Sequence, residues 1–180
     1  MEFESVIKFR ESTRDYSDKL VEDEKINFIL ECARLAPSWA NKQCWHFIVI
    51  KEKKIIDDLS KTSPINRWLK NAPVVIVACG DPKQSGFKND MQYFLVDVSI
   101  ALDHLILAAT DKGLGTCWIG GFNEEKVKEI LEIPQDIKVV ALTPLGYPAE
   151  KKRIAGKLAK MVVQSKKRKS LDKIVHKNKW

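Results

Sequence analysis

Two short stretches gather side chains able to hold an anion and to read the edge of a planar ring. The first, Arg10-Glu-Ser12-Thr-Arg14, sets a hydroxyl between two guanidinium groups. On a helix Arg10 and Arg14 would be i, i+4 neighbours, a like-charge pair costing roughly 0.2 to 0.5 kcal/mol unless something negative sits between them, and Ser12 would point elsewhere. If the chain leaves its helix near Arg10 and runs extended, the period of two places all three on one side. Arg offers planar bidentate donors and Ser a rotatable one, so that arrangement is a clamp for a single phosphate. The plainer alternative is a solvated helix end with incidental arginines.

The second stretch is Ala36-Pro-Ser-Trp-Ala-Asn41-Lys-Gln43-Cys-Trp45. Pro37 ends a helix, and the turn after it presents Ser38, Asn41 and Gln43 before a strand begins at Trp45. Asn and Gln each carry a donor and an acceptor, which suits the alternating edge of a pyrimidine-type ring, and Trp39 could cover a planar ligand. An ordinary helix-to-strand turn, with Ser and Asn satisfying backbone groups and Trp packing locally, is the competing reading. Further on, Gly120-Gly121 lies between a strand and the helix cap Asn123, where backbone N–H groups can approach a ligand closely or simply turn the chain. In the basic tail, Lys166 and Arg168 are two residues apart and could close the far side of a phosphate, or merely be solvated.

The elements that must position these residues follow from periodicity. Phe3, Val6, Ile7 and Arg10 mark one face of a short opening helix; Ile26, Ile29, Leu30, Ala33 and Leu35 mark a second that stops at Pro37. Residues 45–50 and 73–79 read as strands buried on both faces, with short helices at 55–59 and around Trp68 between them. A long helix over about 91–112 is apolar around most of its circumference, with Gly113 as its stop, and must be covered by its own domain or by a second subunit. Residues 116–119 read as a strand, Asn123 caps a helix to about Glu132, and 137–145 is a further strand. From Lys151 onward hydrophobic density falls, leaving a basic arm whose terminal Trp180 is expected to pack on something, a partner subunit being the nearest candidate.

The 180 residues suit a single domain with a sizeable core, and no internal repeat or linker divides them. The net charge of +7 favours anionic partners, although much of the excess lies in the tail from Lys166. Cys32, Cys44, Cys79 and Cys117 are widely separated and show no metal-ligand or dithiol spacing, so they read as reduced thiols and no metal is expected. With no signal-type N-terminal pattern, the expected location is cytoplasmic. Asp97, Asp103 and His104 within the long apolar stretch argue for a buried helix and against a membrane span.

The order of the pieces is more specific than any one of them. R-x-S-x-R, then A-P-S-x-x-N-x-Q-x-W-x-F, then a long apolar helix into G-L-G-T-C-W-I-G-G-F, then P-L-G-Y-P and K-x-R-K-x-L-D-K-I-V-H, resembles the nitroreductase family over most of the chain. The resemblance implies an α+β fold, a central and mainly antiparallel sheet flanked by helices, in an intertwined homodimer whose long central helices pack across the interface and whose C-terminal arm reaches the partner.

It further implies FMN bound at the dimer interface and NAD(P)H as electron donor. Arg10, Ser12, Arg14, Lys166 and Arg168 would hold the phosphate; Pro37, Ser38, Trp39 and Asn41 would come from the other subunit, with Gln43 a weaker and more structural candidate. Gly120 and Gly121 would lie near flavin N5. The family's chemistry needs no catalytic acid or nucleophile from the protein, and it implies ping-pong transfer to a small-molecule electron acceptor such as a nitroaromatic, a quinone or a free flavin, with Lys42 a possible contributor of positive charge near the ring. Two departures stand out: Glu11 replaces a common basic residue and Cys44 a common proline. The short connection from Gly80 to Asp90 also leaves out the roof over the acceptor site found in longer members. A flavin-binding sensor or carrier without efficient turnover is therefore the alternative, and a nucleic-acid module built on the tail a remote third.

Overall fold

Val74, Val75, Ile76 and Val77 are almost wholly buried, because the strand they belong to is covered on both faces. The computed structural model describes residues 1–150 and 168–180. Its central strand β2, Val74–Gly80, is buried at every position. On one side β2 pairs with β1, Trp45–Ile50, and on the other with β6, Lys138–Gly146, which in turn pairs with β5, Gly115–Thr116. The sheet order is β1-β2-β6-β5 and every pairing is antiparallel. Alternate residues serve different layers, as the pleat requires. Val74, Ile76 and Ala78 face a layer made by the helices α2, Asp23–Arg34, and α4, Tyr93–Asp111. Val75, Val77 and Cys79 face a second core closed by α3, Lys53–Ser60, and α5, Glu124–Leu131.

The long helix α4 buries Val98, Ala101, Leu102, Leu105 and Ala109 completely against the sheet and α2. Gly113, at φ +72°, supplies the left-handed turn that ends it. Among the described residues α4 alone is long and apolar enough to cross a membrane, yet its packing is that of a core helix with the carboxylate of Asp97 buried along its length. The first helix, α1, Phe3–Phe9, lies beside the far end of α4, where the terminal amine meets Asp111. The expected apolar face of α1 forms but is left uncovered among the described residues. Only Val6 is buried, while Phe3, Ile7 and Phe9 are 71%, 48% and 69% exposed. A shallow apolar cleft of about 420 Å³ runs between α1, α2 and α4, lined among others by Phe3, Phe28, Cys32 and Leu107.

Two strand expectations need correction. β1 is an edge strand, so His46 is exposed and Phe47, Ile48 and Val49 are half-buried, where burial on both faces was expected. The strand expected over 116–119 is broken: Gly115 and Thr116 pair with Gly146 and Leu145, and Ile119 rejoins the ladder opposite Leu142. The register puts Cys117 opposite Pro144, which has no N–H to give. The 81–92 connection holds a small hairpin, β3, Phe87–Lys88, and β4, Met91–Gln92, turned through Asn89 and Asp90 at positive φ. In the last described segment Trp180 stacks on His176 at 4.5 Å but remains fully exposed, with Leu171, Ile174 and Val175 also exposed, so the packing expected of Trp180 is not found among the described residues.

Candidate functional site

The helix α1 stops at Phe9, and Arg10 already has an extended backbone at ψ 117°. From there the chain lies along the free edge of β5: Ser12 forms a parallel bridge with Thr116, and the Thr13 N–H donates to the Thr116 carbonyl at 2.7 Å. Period-two alternation then sorts the side chains. Thr13 and Asp15 are buried, whereas Arg10, Ser12 and Arg14 stay partly exposed on the other side. The extended alternative, not the solvated helix end, is the one the chain adopts.

This side has a prepared character. The Arg14 guanidinium lies 5.9 Å from the Trp68 ring centroid and donates to the Ser12 carbonyl at 3.3 Å. The buried Tyr16 hydroxyl donates to the Thr13 carbonyl at 2.7 Å and pins the segment; burial holds that phenol well above its usual range, with the neighbouring Cys117 adding to the effect. Cys117 itself sits behind the arginines. Burial pushes its thiol up, against the pull of the Arg14 charge, the Ser12 hydroxyl and the Arg10 charge. What places Arg10, Ser12 and Arg14 on one side is the extended backbone that bridges Thr116 at Ser12.

Gly120 and Gly121 lie further along the same edge. A Cβ at either would meet nothing within 4 Å, so their backbone faces open space. The Asn66 side-chain amide donates to the Gly121 carbonyl at 3.2 Å, and the Asn123 N–H donates to the Thr62 carbonyl at 3.0 Å, which anchors the loop from beneath. Asn123 caps α5 as expected, accepting from the Lys126 N–H at 3.0 Å.

The second cluster hangs on the other end of α4. Ala40, Asn41 and Gln43 all have positive φ (46°, 56° and 53°), a left-handed conformation that costs non-glycine residues about 1 to 3 kcal/mol each unless the surroundings impose it. The surroundings do so here. Trp39 donates its N–H to Asp97 Oδ1 at 2.8 Å, and the Gln43 N–H donates to Ser38 Oγ at 2.9 Å. The Gln43 side-chain amide donates to the Asn41 carbonyl and side-chain oxygens at 3.1 and 3.2 Å, so Gln43 supports the turn from within. Trp39 is half-buried against Tyr93, ring centroids 4.2 Å apart. Pro37, Asn41 and Lys42 are exposed.

The structure therefore brings Arg10, Ser12 and Arg14 together, with Gly120 and Gly121 on the same edge, and separately brings together Ser38, Trp39, Asn41 and Gln43. It does not unite the two groups within one chain. Thr116 stands in the row of Leu145 and Val74, at the β5 edge, whereas Trp45 pairs with Gly80 at the β1 edge. Three strand spacings of about 4.8 Å and six residues of about 3.3 Å separate these corners, a diagonal of roughly 24 Å. Arg168 is exposed at the start of the last described segment, and Lys166 lies outside the described residues. Trp68, Cys117, Ser85 and the contact role of Asp97 were not read from the sequence. The only available signal was Asp97 itself, a carboxylate in an otherwise apolar helix.

Two guanidinium forks and a hydroxyl on one side of an extended segment suit a monoester phosphate, and a strained turn presenting amide groups beside an indole suits a planar ring with alternating donors and acceptors. The donor set thus fits FMN. Residues 7–63 and 60–147 match the model of the nitroreductase family. The chain belongs to the nitroreductase family. A protein of Archaeoglobus fulgidus, provisionally named an NADH dehydrogenase/NAD(P)H nitroreductase, is 40% identical over 82% of this chain and 86% of that protein. The FMN reductase [NAD(P)H] of Bacillus subtilis is 30% identical over 78% of this chain and 63% of its own length. The solved FMN-dependent nitroreductase of Clostridium difficile R20291 superposes with a TM-score of 0.79 at 30% identity, covering 97% of this chain and 98% of that one. The α+β architecture, an antiparallel sheet flanked by helices, is the nitroreductase fold.

Proposed function

We propose that this nitroreductase-family chain is an FMN-dependent oxidoreductase that takes electrons from NAD(P)H and delivers them in pairs to a small-molecule acceptor such as a nitroaromatic, a quinone or a free flavin. The observation that carries the reading is the extended 10–14 segment on the β5 edge, which bridges Thr116 at Ser12 and turns Arg10, Ser12 and Arg14 to one partly exposed side. When bound, FMN would supply the redox chemistry, accepting hydride at N5. The chain's own part is binding and orientation.

In this reading Arg10, Ser12 and Arg14 grip the phosphate, with Lys166 and Arg168 closing its far side. The open backbone at Gly120 and Gly121 donates near N5, and Pro37, Ser38, Trp39 and Asn41 from a second copy read the ring while Gln43 braces their turn. The roughly 24 Å between the two corners supports a site shared by two chains. The uncovered face of α1 and the apolar cleft beside α4 support a homodimer, which would also give Trp180, Leu171, Ile174 and Val175 a surface to cover them. A donor and an acceptor using the same ring face in turn would produce ping-pong kinetics.

The test is complementation. A chain carrying Arg10→Ala and Arg14→Ala is mixed, by co-expression, with a chain carrying substitutions at Ser38 and Asn41. Neither variant alone binds FMN tightly, while the mixed dimer regains one site of two. No recovery in the mixed dimer refutes the shared site. A sensor or carrier function is favoured only by the brevity of the 81–92 connection, and reduction of the bound flavin by NADH or NADPH separates it from an enzyme.

A further inference from the structure

Asp97 stands out because it is a carboxylate, 2% exposed, in a long and strongly apolar helix. It receives three donors from two distant segments. Oδ1 accepts the Trp39 N–H at 2.8 Å; Oδ2 accepts the Ser85 hydroxyl at 2.7 Å and, more weakly, the Cys44 thiol at 3.6 Å. Burial and the nearby Asp97 raise that thiol to about 11, so it remains a donor at neutral pH. All three donors are neutral, and among the described residues no cation lies within ion-pair distance of Asp97. Burying a carboxylate costs several kcal/mol, and a leucine would fill this helix face more cheaply, so its justification must lie in what it ties together.

What it ties together is the 37–44 turn and the 81–92 segment. Ser85 is followed by Gly86, where a Cβ would fall 2.3 Å from the Trp39 indole; only the bare backbone lets that ring lie against it. The Gly86 carbonyl accepts the Tyr93 N–H at 2.8 Å, and Tyr93 in turn packs on Trp39. Asp97, Ser85, Gly86, Trp39 and Tyr93 thus close a ring of contacts in which the turn and the hairpin are held by the same carboxylate. We propose that Asp97 is a positioning residue that locks the ring-side turn to the Phe87–Gln92 hairpin, so that the two move as one wall of the acceptor site. This assigns the short hairpin, with Phe87 67% exposed, to the acceptor side of the site and rests on the FMN reading above.

The coupling can be measured without flavin. Hydrogen exchange is followed in the apoprotein for Ser85→Ala, Asp97→Asn and Asp97→Ala. Ser85→Ala removes one hydrogen bond, which corresponds to a factor of about 5 in local opening, and that factor should appear at the Trp39 and Gln43 amides as well as in the hairpin. Asp97→Ala should loosen both segments by at least as much. Asp97→Asn keeps an acceptor for the Trp39 N–H and a donor for Ser85 Oγ, and should stay close to the parent protein. Faster exchange confined to the substituted segment, or an Asn variant as loose as the Ala variant, overturns the proposal. In flavin-loaded protein, Ser85→Ala should raise KM for a quinone acceptor about fivefold at saturating FMN; an unchanged KM overturns the assignment to the acceptor side. A parent protein that binds no FMN would refute the functional reading and leave the exchange result to stand by itself.

Discussion

Replacing Arg14 with Ala tests the clamp in energetic terms. Its guanidinium is already oriented by the Trp68 ring at 5.9 Å and by the Ser12 carbonyl at 3.3 Å, so little further ordering is needed to meet a phosphate. A hydrogen bond to a charged group contributes about 1.5 to 3 kcal/mol, and a loss of about 2 kcal/mol is close to a 30-fold rise in Kd. Arg14→Lys keeps the charge without the fork and should fall between the two. The apoprotein loses the ring contact, about 0.5 to 1 kcal/mol at a partly exposed site, and the hydrogen bond to the Ser12 carbonyl, about 1 kcal/mol, and stays folded. The assay is a fluorescence-quench titration of apoprotein with FMN and, in parallel, with riboflavin, which carries no phosphate. FMN should weaken about 30-fold and riboflavin hardly at all. An FMN affinity within twofold of the parent, or an equal loss for both ligands, refutes the assignment of Arg14 to the phosphate.

Other outcomes follow from the packing and the buried thiols. Gly86→Ala forces the Trp39 ring to move and should destabilise the protein by about 1 to 3 kcal/mol in urea unfolding, with FMN binding weakened at the ring end; a neutral effect would mean Trp39 has room to shift. Cys44 and Cys79 are each pushed up by burial to about 11, whereas a thiol in the unfolded chain ionises near 8.5. Below that value both states hold their protons and nothing changes with pH. Above it the unfolded chain sheds protons that the native state retains, and stability should fall by about 1.4 kcal/mol per pH unit per thiol until the native thiols titrate. Urea midpoints between pH 8 and 10 should show this decline, and Cys79→Ala should remove one thiol's share of it; a pH-independent midpoint contradicts the burial argument. Ile7→Glu, on the uncovered face of α1, should convert a dimer to monomers in light scattering with protomer stability unchanged, and a dimer that persists would remove α1 from the interface.

The long helix, the two central strands and the capped α5 were legible in the sequence because their apolar periodicity is sustained and their ends carry Gly113, Pro73 and Asn123. The clamp was legible as two alternatives, and what decided between them was tertiary: the free edge of β5 that captures residues 12 and 13, which no local pattern announces. The break at Cys117 depends on a proline 27 residues later, and so on register. The half-buried side of β1 reflects its place at the sheet edge, a property of strand order and not of composition. Asp97 was visible only as a carboxylate in an apolar stretch. Its partners are Trp39, Cys44 and Ser85, and their meeting required the fold.

The central claim is that this chain binds FMN and reduces it with a nicotinamide donor. The most direct measurement is the visible absorbance spectrum of freshly purified protein, supplemented with FMN if needed, before and after anaerobic addition of NADH and then of NADPH. Bands of oxidised flavin that stay with the protein and bleach on addition of one donor are the predicted result. A colourless protein that takes up no FMN, or bound flavin that neither donor bleaches, contradicts it.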